Sequence, residues 1–296
     1  MANYCWIIYN GHLKGPKFRD FAEWLQKAAE KQNVHAEIVP NNHLLSSYSS
    51  DGLGLHSMKK ENLPDFVLFG DKDIHLARQL EALDVPVYNS ASAIELCDDK
   101  IRTYQALSAD RLPIPKTIAA PKIFPGAAEI DQQTFLNAGK SLHFPLILKE
   151  AYGSFGEQVY LLDTPKEMLD KIKEIQDRPF VLQEFISSSR GKDVRLNVVG
   201  NKVVASMLRT SLSDFRANVS AGGKMEPYQP SKEEQYLAIR AAKAAGADFA
   251  GVDLLFGPDG PVVCEVNSNA HIRNIYDCTK INVAEHIIEY VLHTQK

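Results

Sequence analysis

The feature that most constrains the fold is a hairpin signal near the carboxyl end of the chain, GVDLLFGPDGPVVCEVN (251–267). Two apolar runs flank a Pro-Asp-Gly triplet. Such a triplet favours a turn, because proline presets φ at its second position and glycine accepts a positive φ at its end. A three-residue loop of this kind joins two antiparallel strands. Counting outward from it pairs Gly257 with Pro261, and four pairs further on it places Asp253 opposite Glu265.

The polar end of this hairpin points to a bound cation. Side chains at alternate positions of a strand share one face, so Glu265 and Asn267 lie on the same side as Asp253 in this register. Two neighbouring carboxylates repel each other unless a positive charge lies between them. Mg²⁺ prefers hard oxygen ligands of this kind. The residues alone leave two interpretations, a magnesium site or an ordinary solvated hairpin face.

Composition and charge exclude several classes of protein. The 296 residues suffice for two or three lobes, and 45% hydrophobic with 24% charged residues is typical of a globular protein. With a net charge of −4 and no long basic run, we expect no nucleic-acid partner. We expect no membrane span either, because no apolar stretch approaches ~20 residues. The first residues are a poor match to a signal peptide, and the four cysteines have no C-x-x-C spacing. We therefore expect a cytoplasmic protein with reduced thiols.

The order of strand and helix signals divides the chain into an N-terminal α/β lobe, a middle lobe and a C-terminal α+β lobe. Strand and helix patterns alternate over the first ~90 residues, which indicates a parallel sheet. The polar, serine-rich segment 41–63 is predicted to be a loop, and a single helical pattern runs from Ser90 to Asp110. Later strands at 144–150, 179–186 and 202–209 precede the hairpin. We predict three domains, with the bounds 1–93, 94–183 and 184–296.

A glycine-rich turn follows one of these strands, in LILKEAYGSFGEQVYLL (146–162). Lys149 lies at the end of the first strand, and the turn Gly153-Ser154-Phe155-Gly156 precedes the second. Such a unit can lay backbone N–H groups over phosphate oxygens, with the lysine neutralising their charge. The sequence lacks both G-x-x-x-x-G-K-[ST] and G-x-G-x-x-G, which argues against a P-loop or a dinucleotide fingerprint. A plain hairpin is the alternative.

A second lysine lies at the start of a helix, in CDDKIRTYQAL. Either Asp98 or Asp99 can cap this helix, which leaves Lys100 in its first turn. A cation there opposes the helix dipole, and a bound phosphate would remove that conflict. A solvent-exposed lysine is the alternative.

Two further segments carry polar groups at strand ends. The apolar strand FVLQEFI (180–186) resembles an adenine-binding edge, where backbone groups meet the base and Glu184 or a later acid meets N6 or the ribose. Asp193 and Arg195 share one face of the following strand. The loop LRTSLSDFRANVSAGG (208–223) concentrates arginines and an amide, and arginine binds phosphate or carboxylate with two parallel hydrogen bonds. A polar surface loop is the alternative.

The order of these pieces resembles a known family. The series CDDK, LILKEAYGSFGEQV, FVLQEFI, GKDVR, DFRANVSAGG, AGVDLLF and CEVNSN is similar to that of the ATP-grasp superfamily, specifically the RimK-type α-L-glutamate ligases and their relatives, over about residues 90–296. The resemblance implies an α+β ATP-grasp fold, with residues 1–93 as an N-terminal α/β (pre-ATP-grasp) lobe. It also implies an ATP-dependent carboxylate–amine ligase, which forms an amide through an acyl phosphate and adds an amino acid to a small-molecule or peptide acceptor.

The resemblance implies three groups of site residues. The first would bind ATP, and its members are Lys100, Lys149, Gly153, Ser154, Phe155, Gly156, Gln183, Glu184, Phe185, Ile186 and Asp193. The second would hold Mg²⁺, with Mn²⁺ as the alternative ion, and consists of Asp253, Glu265 and Asn267. The third would stabilise the transferring phosphoryl group and the acyl phosphate, and consists of Arg195, Arg209, Arg216 and Asn218.

The chain departs from the family pattern after Asn267. RimK-like ligases typically continue with a small residue and then Ser-Pro-Gly, whereas this chain continues SNAHIR (268–273). Because this region should face the acceptor, the resemblance does not extend to glutamate as the added group. His12, His271 and Arg273 are candidates for substrate contacts.

Two other functions stay open, and so does the assembly. The chain could be an ATP-grasp enzyme that makes another bond or phosphorylates its substrate, or a nucleotide-binding regulatory protein without turnover. Relatives are often dimers or tetramers, so by analogy a homo-dimer or homo-tetramer is expected.

Overall fold

The computed structural model describes residues 3–56, 59–124, 126, 130–153, 156–175, 177–217 and 222–295. Across these ranges, no helix has both the length and the apolar character needed to cross a membrane. The described residues form three principal sheets, one in each third of the chain, and helices cover their faces.

The N-terminal lobe is a parallel sheet, as the strand–helix alternation predicts. Its strands lie in the order β2-β1-β5-β6 and are β1 (Tyr4–Tyr9), β2 (His35–Pro40), β5 (Phe66–Phe69) and β6 (Val87–Tyr88). Two helices pack on it, α1 (Pro16–Lys31) and α2 (Ile74–Ala82). The loop predicted over 41–63 is wrong in part, because it contains the hairpin β3 (Ser46–Ser49) and β4 (Gly52–Leu55). Leu44 and Leu55 anchor this hairpin by packing into the core of the lobe.

The helical pattern from Ser90 to Asp110 is two helices, α3 (Ala91–Asp98) and α4 (Lys100–Ala109). Asp99 breaks them, since its backbone is extended and its carboxylate accepts hydrogen bonds from the N–H groups of Ile101 and Arg102, at 2.8 and 3.3 Å. Asp99 is therefore the cap, and Lys100 is the first residue of α4, as the sequence predicts.

The central lobe has its own sheet and its own core. The sheet order is β7-β10-β8-β9, formed by β7 (Thr117–Ala119), β8 (Leu146–Glu150), β9 (Val159–Leu162) and β10 (Phe180–Glu184). The helices α5 (Gln132–Leu142) and α6 (Pro165–Glu174) pack on one face of it. β8 and β9 are antiparallel and flank the glycine-rich turn, which confirms the predicted strand–loop–strand unit. The domain boundary proposed at 183/184 falls on the last residue of β10.

The C-terminal lobe is a five-stranded antiparallel sheet in the order β13-β12-β11-β14-β15. Its strands are β11 (Lys192–Val199), β12 (Lys202–Thr210), β13 (Lys224–Pro227), β14 (Phe249–Gly257) and β15 (Gly260–Asn267). The helix α7 (Lys232–Ala244) covers one face, and α8 (Arg273–Thr279) and α9 (Val283–Thr294) cover part of the other. The last two helices also pack against α1, so the first and last parts of the chain share one hydrophobic core.

The hairpin β14–β15 has the predicted polar pair but a different turn. Gly257 pairs with Gly260, so the loop has two residues and the predicted three-residue loop is wrong. The pairs next to the turn are therefore shifted by one residue from the predicted register. A bulge at Cys264 inserts one extra residue, which brings Asp253 and Glu265 back into register. The shorter loop and the bulge each shift the register by one residue, in opposite directions. The predicted pairing of Asp253 with Glu265 is therefore confirmed.

Candidate active site

A cleft of about 880 Å³ opens between the central sheet and the C-terminal sheet. The predicted site residues that line it are Lys100, Lys149, Gly153, Gly156, Gln183, Glu184, Phe185, Ile186, Asp193, Arg216, Asp253 and Glu265. Ser154, Phe155 and Asn218 lie outside the described residues. The cleft therefore brings together residues from distant parts of the sequence, while the role of each one stays a prediction.

The strand end predicted to hold adenine lies along this cleft, but its polar side chains are already engaged. The Gln183 amide donates to the Thr117 hydroxyl at 2.7 Å, and the Glu184 carboxylate accepts from the Lys116 N–H at 2.6 Å. Both bonds tie β10 to the segment at β7. Phe185 and Ile186 add apolar lining at the same end. This arrangement favours recognition of a flat base by apolar contacts over recognition by the two polar side chains.

Lys149 is a buried cation that faces the cleft. It is only 6% exposed, and its ammonium group donates to the hydroxyl of Tyr104 at 2.9 Å and to the sulfur of Cys264 at 3.6 Å. Within the described ranges, no carboxylate lies within 4 Å of it. Burial alone lowers the pKa of Lys149, but Cys264, Tyr104 and Glu265 raise it above its ordinary value, so the side chain stays charged. A buried charge without a counter-ion is costly, and an anionic ligand would compensate it.

A second lysine, Lys100, lines the same cleft, and Lys72 lies near it. Burial lowers the pKa of Lys100, and the positive charges of Lys149 and Lys72 lower it further. Lys72, on the loop after β5, forms an ion pair with Asp98. Sequence reasoning missed Lys72, since nothing in its local sequence signals proximity to Lys100. The positive charges gathered around Lys100 are suited to a polyanion such as the phosphates of a nucleotide.

Four charged side chains form a balanced network on the face of the C-terminal sheet below the cleft. Arg195 donates through two of its nitrogens to the carboxylate of Asp253, one of them at 2.7 Å. Arg209 donates to Asp193 at 2.6 and 2.8 Å and also contacts Asp253 at 2.9 Å. The strand register explains the network, because Asp193 pairs directly with Arg209 and Arg195 with Asp253.

The network sets the charge of its acids. Burial raises the pKa of Asp253, but Arg195 and Arg209 lower it more, so its pKa lies below the usual value. Burial and the nearby Asp253 charge raise the pKa of Asp193, against the effect of Arg209. The two arginines predicted to stabilise phosphate are therefore held rigidly by carboxylates one layer below the ligand space.

The residues predicted to bind magnesium fit a cation bound together with phosphate. In the described part of the chain, no three or more His, Cys, Asp or Glu side chains form a metal-binding group. The predicted set contains two carboxylates and the amide of Asn267, and Mg²⁺ commonly takes one or two carboxylates and completes its shell with phosphate and water oxygens. Glu265 forms no ion pair within 4 Å among the described residues, so its oxygens are available to a cation. The donor chemistry at Glu265 and Asn267 therefore suits a phosphate-bound Mg²⁺, whereas both carboxylate oxygens of Asp253 are held by Arg195 and Arg209 and would have to leave them to bind the ion.

The glycine-rich turn is linked to the arginine loop across the cleft. Arg216 donates to Asp214 through Nε at 3.0 Å and through Nη2 at 2.8 Å, and its other terminal nitrogen, Nη1, donates to the carbonyl of Gly156. Gly153 has a φ of +154°, and a Cβ atom there would lie 2.4 Å from the side-chain oxygen of Gln158. The positive φ at Gly153 therefore disfavours other residues, a Cβ there would require the Gln158 side chain to move, and Arg216 holds Gly156 toward the C-terminal sheet.

The three candidate substrate contacts lie in different settings. Arg273 forms an ion pair with Asp20 and stacks on Trp24, with 4.9 Å to the ring centre, so it ties α8 to α1. His12 lies exposed on the loop after β1, and His271 is half-buried just before α8. Nothing in these positions tests a substrate contact, and the roles of all three stay predictions.

Comparison with known proteins gives a consistent result. The family model described as a RimK-like ATP-grasp domain matches residues 97–291. The chain is 35% identical over 218 residues to the "probable alpha-L-glutamate ligase" of Haemophilus ducreyi, covering 73% of this chain and 68% of that protein. It is 31% identical over 281 residues to the protein of the same name from Vibrio vulnificus strain YJ016, covering 90% and 89%.

Solved structures share the fold. The ATP-grasp ligase PsnB complexed with a minimal precursor aligns with a TM-score of 0.73 at 17% identity, over 100% of both chains. The D-alanine–D-alanine ligase of Bacillus anthracis complexed with ATP aligns with a TM-score of 0.69 at 18% identity, over 99% of both chains. At this level of identity the likeness concerns the fold, which is the α+β ATP-grasp fold that the sequence predicts.

Proposed function

Because this chain belongs to the RimK-like ATP-grasp family, we propose that it is an ATP-dependent carboxylate–amine ligase. The observation that carries the proposal is the buried, charged Lys149, which has no counter-ion among the described residues and faces a cleft that Lys100 and Glu265 also line. The phosphates of a nucleoside triphosphate would supply the negative charge that balances Lys149. The substrates are then an amino acid or peptide that provides a carboxylate and a second one that provides an amine.

The reaction proceeds in two steps. An oxygen of the substrate carboxylate attacks the γ-phosphorus of ATP, the bond to the β-phosphate oxygen breaks, and ADP leaves, giving an acyl phosphate. The amine nitrogen then attacks the acyl carbon, inorganic phosphate leaves, and the nitrogen loses a proton to give the amide. Lys100 and Lys149 offset the charge that develops on the transferring group.

A divalent cation belongs to this proposal. Mg²⁺, with Mn²⁺ as the alternative, would be held by Asp253, Glu265 and Asn267 and would neutralise charge on the phosphate oxygens. Arg195 and Arg209 keep Asp253 ionised at neutral pH, since they lower its pKa. We propose that these arginines act in this way, in addition to the phosphoryl stabilisation that the family resemblance implies.

The glycine-rich turn protects the intermediate. An acyl phosphate is hydrolysed by water, so a closed site favours the amine over water. The hydrogen bond from Arg216 to the carbonyl of Gly156 holds the turn over the cleft. We propose that Gly153 to Gly156 close on the phosphates when ATP binds and that Arg216 fixes the closed position.

The added amino acid is not assigned as glutamate, although the relatives carry that name. The segment after Asn267 departs from the family pattern, and Asn269 within it donates to the carbonyl of Gly70 at 2.8 Å. This bond joins the acceptor side of the site to the N-terminal lobe. The cytoplasmic location, the homo-dimer or homo-tetramer, the lack of a nucleic-acid partner and the three-domain division stay predictions.

The test is ADP release from Mg²⁺-ATP with pooled amino acids and dipeptides. Wild type and Glu289→Gln, an exposed change on α9, should release ADP in a substrate-dependent way, and Glu265→Gln should not. Mass spectrometry of the products then distinguishes an amide from a phosphorylated substrate, and hydroxylamine trapping reports the acyl phosphate. ATP binding without ADP release over the whole panel would contradict the ligase and favour the regulatory alternative.

A further inference from the structure

Tyr104 lies where the two sheets that form the cleft meet. It is on α4 and only 6% exposed. Its hydroxyl donates to the carbonyl of Cys264 on β15 at 2.7 Å and accepts from the ammonium group of Lys149 on β8 at 2.9 Å. A phenol hydroxyl has one proton to donate, and it goes to the Cys264 carbonyl. The hydroxyl oxygen accepts from Lys149 at the same time, so the two bonds are compatible. Burial raises the pKa of Tyr104, which keeps the hydroxyl protonated.

Among the described residues, this hydroxyl is the oxygen acceptor for the ammonium group of Lys149. An ammonium group has three protons to donate. One goes to the Tyr104 oxygen and a second toward the sulfur of Cys264, which is a weak acceptor at 3.6 Å. The third remains for the cleft that Lys149 lines. The direction of that third N–H bond is therefore fixed by the position of the Tyr104 hydroxyl.

The bulge in β15 explains why a backbone carbonyl is available to Tyr104. Cys264 is the extra residue that falls outside the regular ladder between β14 and β15. A bulged residue lacks its usual strand partner. The Tyr104 hydroxyl takes up the Cys264 carbonyl and thereby links β15 of the C-terminal sheet to β8 of the central sheet.

The helix α4 sets the spacing of both lysines. Lys100 and Tyr104 are four residues apart on α4, so they lie on one face, one turn from each other. The N–H of Lys100 also donates to the carbonyl of Ala151 just beyond β8, at 3.0 Å. The helix thus presents one lysine to the cleft directly and holds the other through Tyr104.

We propose that Tyr104 is a positioning residue for phosphoryl transfer, whose hydroxyl orients the Lys149 ammonium toward the transferring phosphate. The inference rests on the proposed function, because it needs Lys149 to contact ATP. Tyr104 acts through Lys149 and does not itself touch substrate. Its ring packs in the core beside Leu107 and Val181, a role that phenylalanine would also fill.

The test uses Tyr104→Phe, which keeps the ring and removes the oxygen. We expect the single-turnover rate of ADP formation to fall about 10- to 100-fold, because a misplaced catalytic group costs about that much. The dissociation constant for ATP should change less than threefold. The matched control is Tyr290→Phe, which removes a half-buried hydroxyl that donates to Asp248 at 3.0 Å in another core, and its kinetics should equal those of wild type.

A double variant separates positioning from a general structural effect. If the hydroxyl acts only through Lys149, Tyr104→Phe should cause no further loss in a Lys149→Met background. A loss that multiplies with that of Lys149→Met would overturn the inference, and so would wild-type kinetics in a folded Tyr104→Phe protein. Normal ADP release by Lys149→Met would instead contradict the proposed role of Lys149 itself.

If Tyr104→Phe does not fold, Tyr104→His takes its place, because neutral imidazole also offers an acceptor to Lys149. A single-turnover rate within threefold of wild type is then expected. A folded Tyr104→His protein with its imidazole at hydrogen-bond distance from Lys149 and no ADP formation would overturn the inference.

Discussion

Replacing Asp253 by asparagine removes one negative charge from a buried network that is balanced in the wild type. Asp253 is 4% exposed and accepts hydrogen bonds from both Arg195 and Arg209. After the change, two arginines share the single carboxylate of Asp193. The variant therefore carries an uncompensated positive charge in a part of the sheet that water reaches poorly.

The magnitude follows from the distances. At the 2.9 Å separation of Arg209 and Asp253, two unit charges attract by roughly 6 kcal/mol at an effective dielectric constant of 20. Asparagine recovers part of this through neutral hydrogen bonds, and the measured cost of breaking a buried pair is about 3–5 kcal/mol. For a chain of 296 residues, that corresponds to a fall in Tm of roughly 5–8 °C.

The assay is thermal unfolding of Asp253→Asn beside two other variants. Glu265→Gln also removes a carboxylate of the predicted metal site, yet it breaks no ion pair and should shift the free energy of unfolding by less than about 0.5 kcal/mol. The double variant Asp253→Asn/Arg195→Gln restores the charge balance and should melt above the single variant while staying inactive. An Asp253→Asn protein as stable as Glu265→Gln, or a double variant less stable than the single one, would refute the reasoning.

Three further outcomes are expected. Lys149→Met should weaken ATP binding at least tenfold by calorimetry. It should not lower the Tm of the ligand-free protein, because it removes a buried charge that has no counter-ion among the described residues. The exposed Lys173→Met is the control, and a marked fall in the Tm of Lys149→Met would contradict this. ATP affinity should fall as the pH rises toward 10.5, the ordinary pKa of lysine, because Lys100 loses its proton below that value. Lys100→Met should flatten the dependence of ATP affinity on pH. If the affinities of the two proteins fell in parallel with pH, Lys100 would not be the group responsible. Gly153→Ala should lower kcat with only a small fall in Tm, because its Cβ would collide with Gln158. Gly52→Ala is the control, since Gly52 also has a positive φ but no neighbour within 4 Å, and it should not affect kcat.

Local patterns predicted the elements of the site better than their connections. Lys100 at a helix start and Asp253 opposite Glu265 follow from capping and from strand alternation, which act over a few residues. The loop length of the hairpin was wrong, because a Pro-Asp-Gly triplet is compatible with either two or three loop residues and the bulge at Cys264 has no local signature.

Contacts between distant segments could not be predicted in this way. Period-two spacing placed Asp193 and Arg195 on one face but gave no sign that each pairs with a charge on the neighbouring strand. Tyr104 and Lys149 are 45 residues apart and meet because α4 packs against β10, the strand next to β8. The family resemblance supplied the fold and the ligand, and packing supplied the partners of each charged group.

The core shared by the first and last parts of the chain has a mechanical consequence. The N-terminal sheet, α1, α8 and α9 are packed as one body, whereas the central lobe has a hydrophobic core of its own residues and reaches the core of the C-terminal lobe through Val181. The molecule thus consists of this rigid body and of the central lobe that it carries. A rotation of the central lobe that opened the cleft would have to break contacts with this body, and among the described residues these include the hydrogen bonds of Lys149 to Tyr104 and of Arg216 to Gly156.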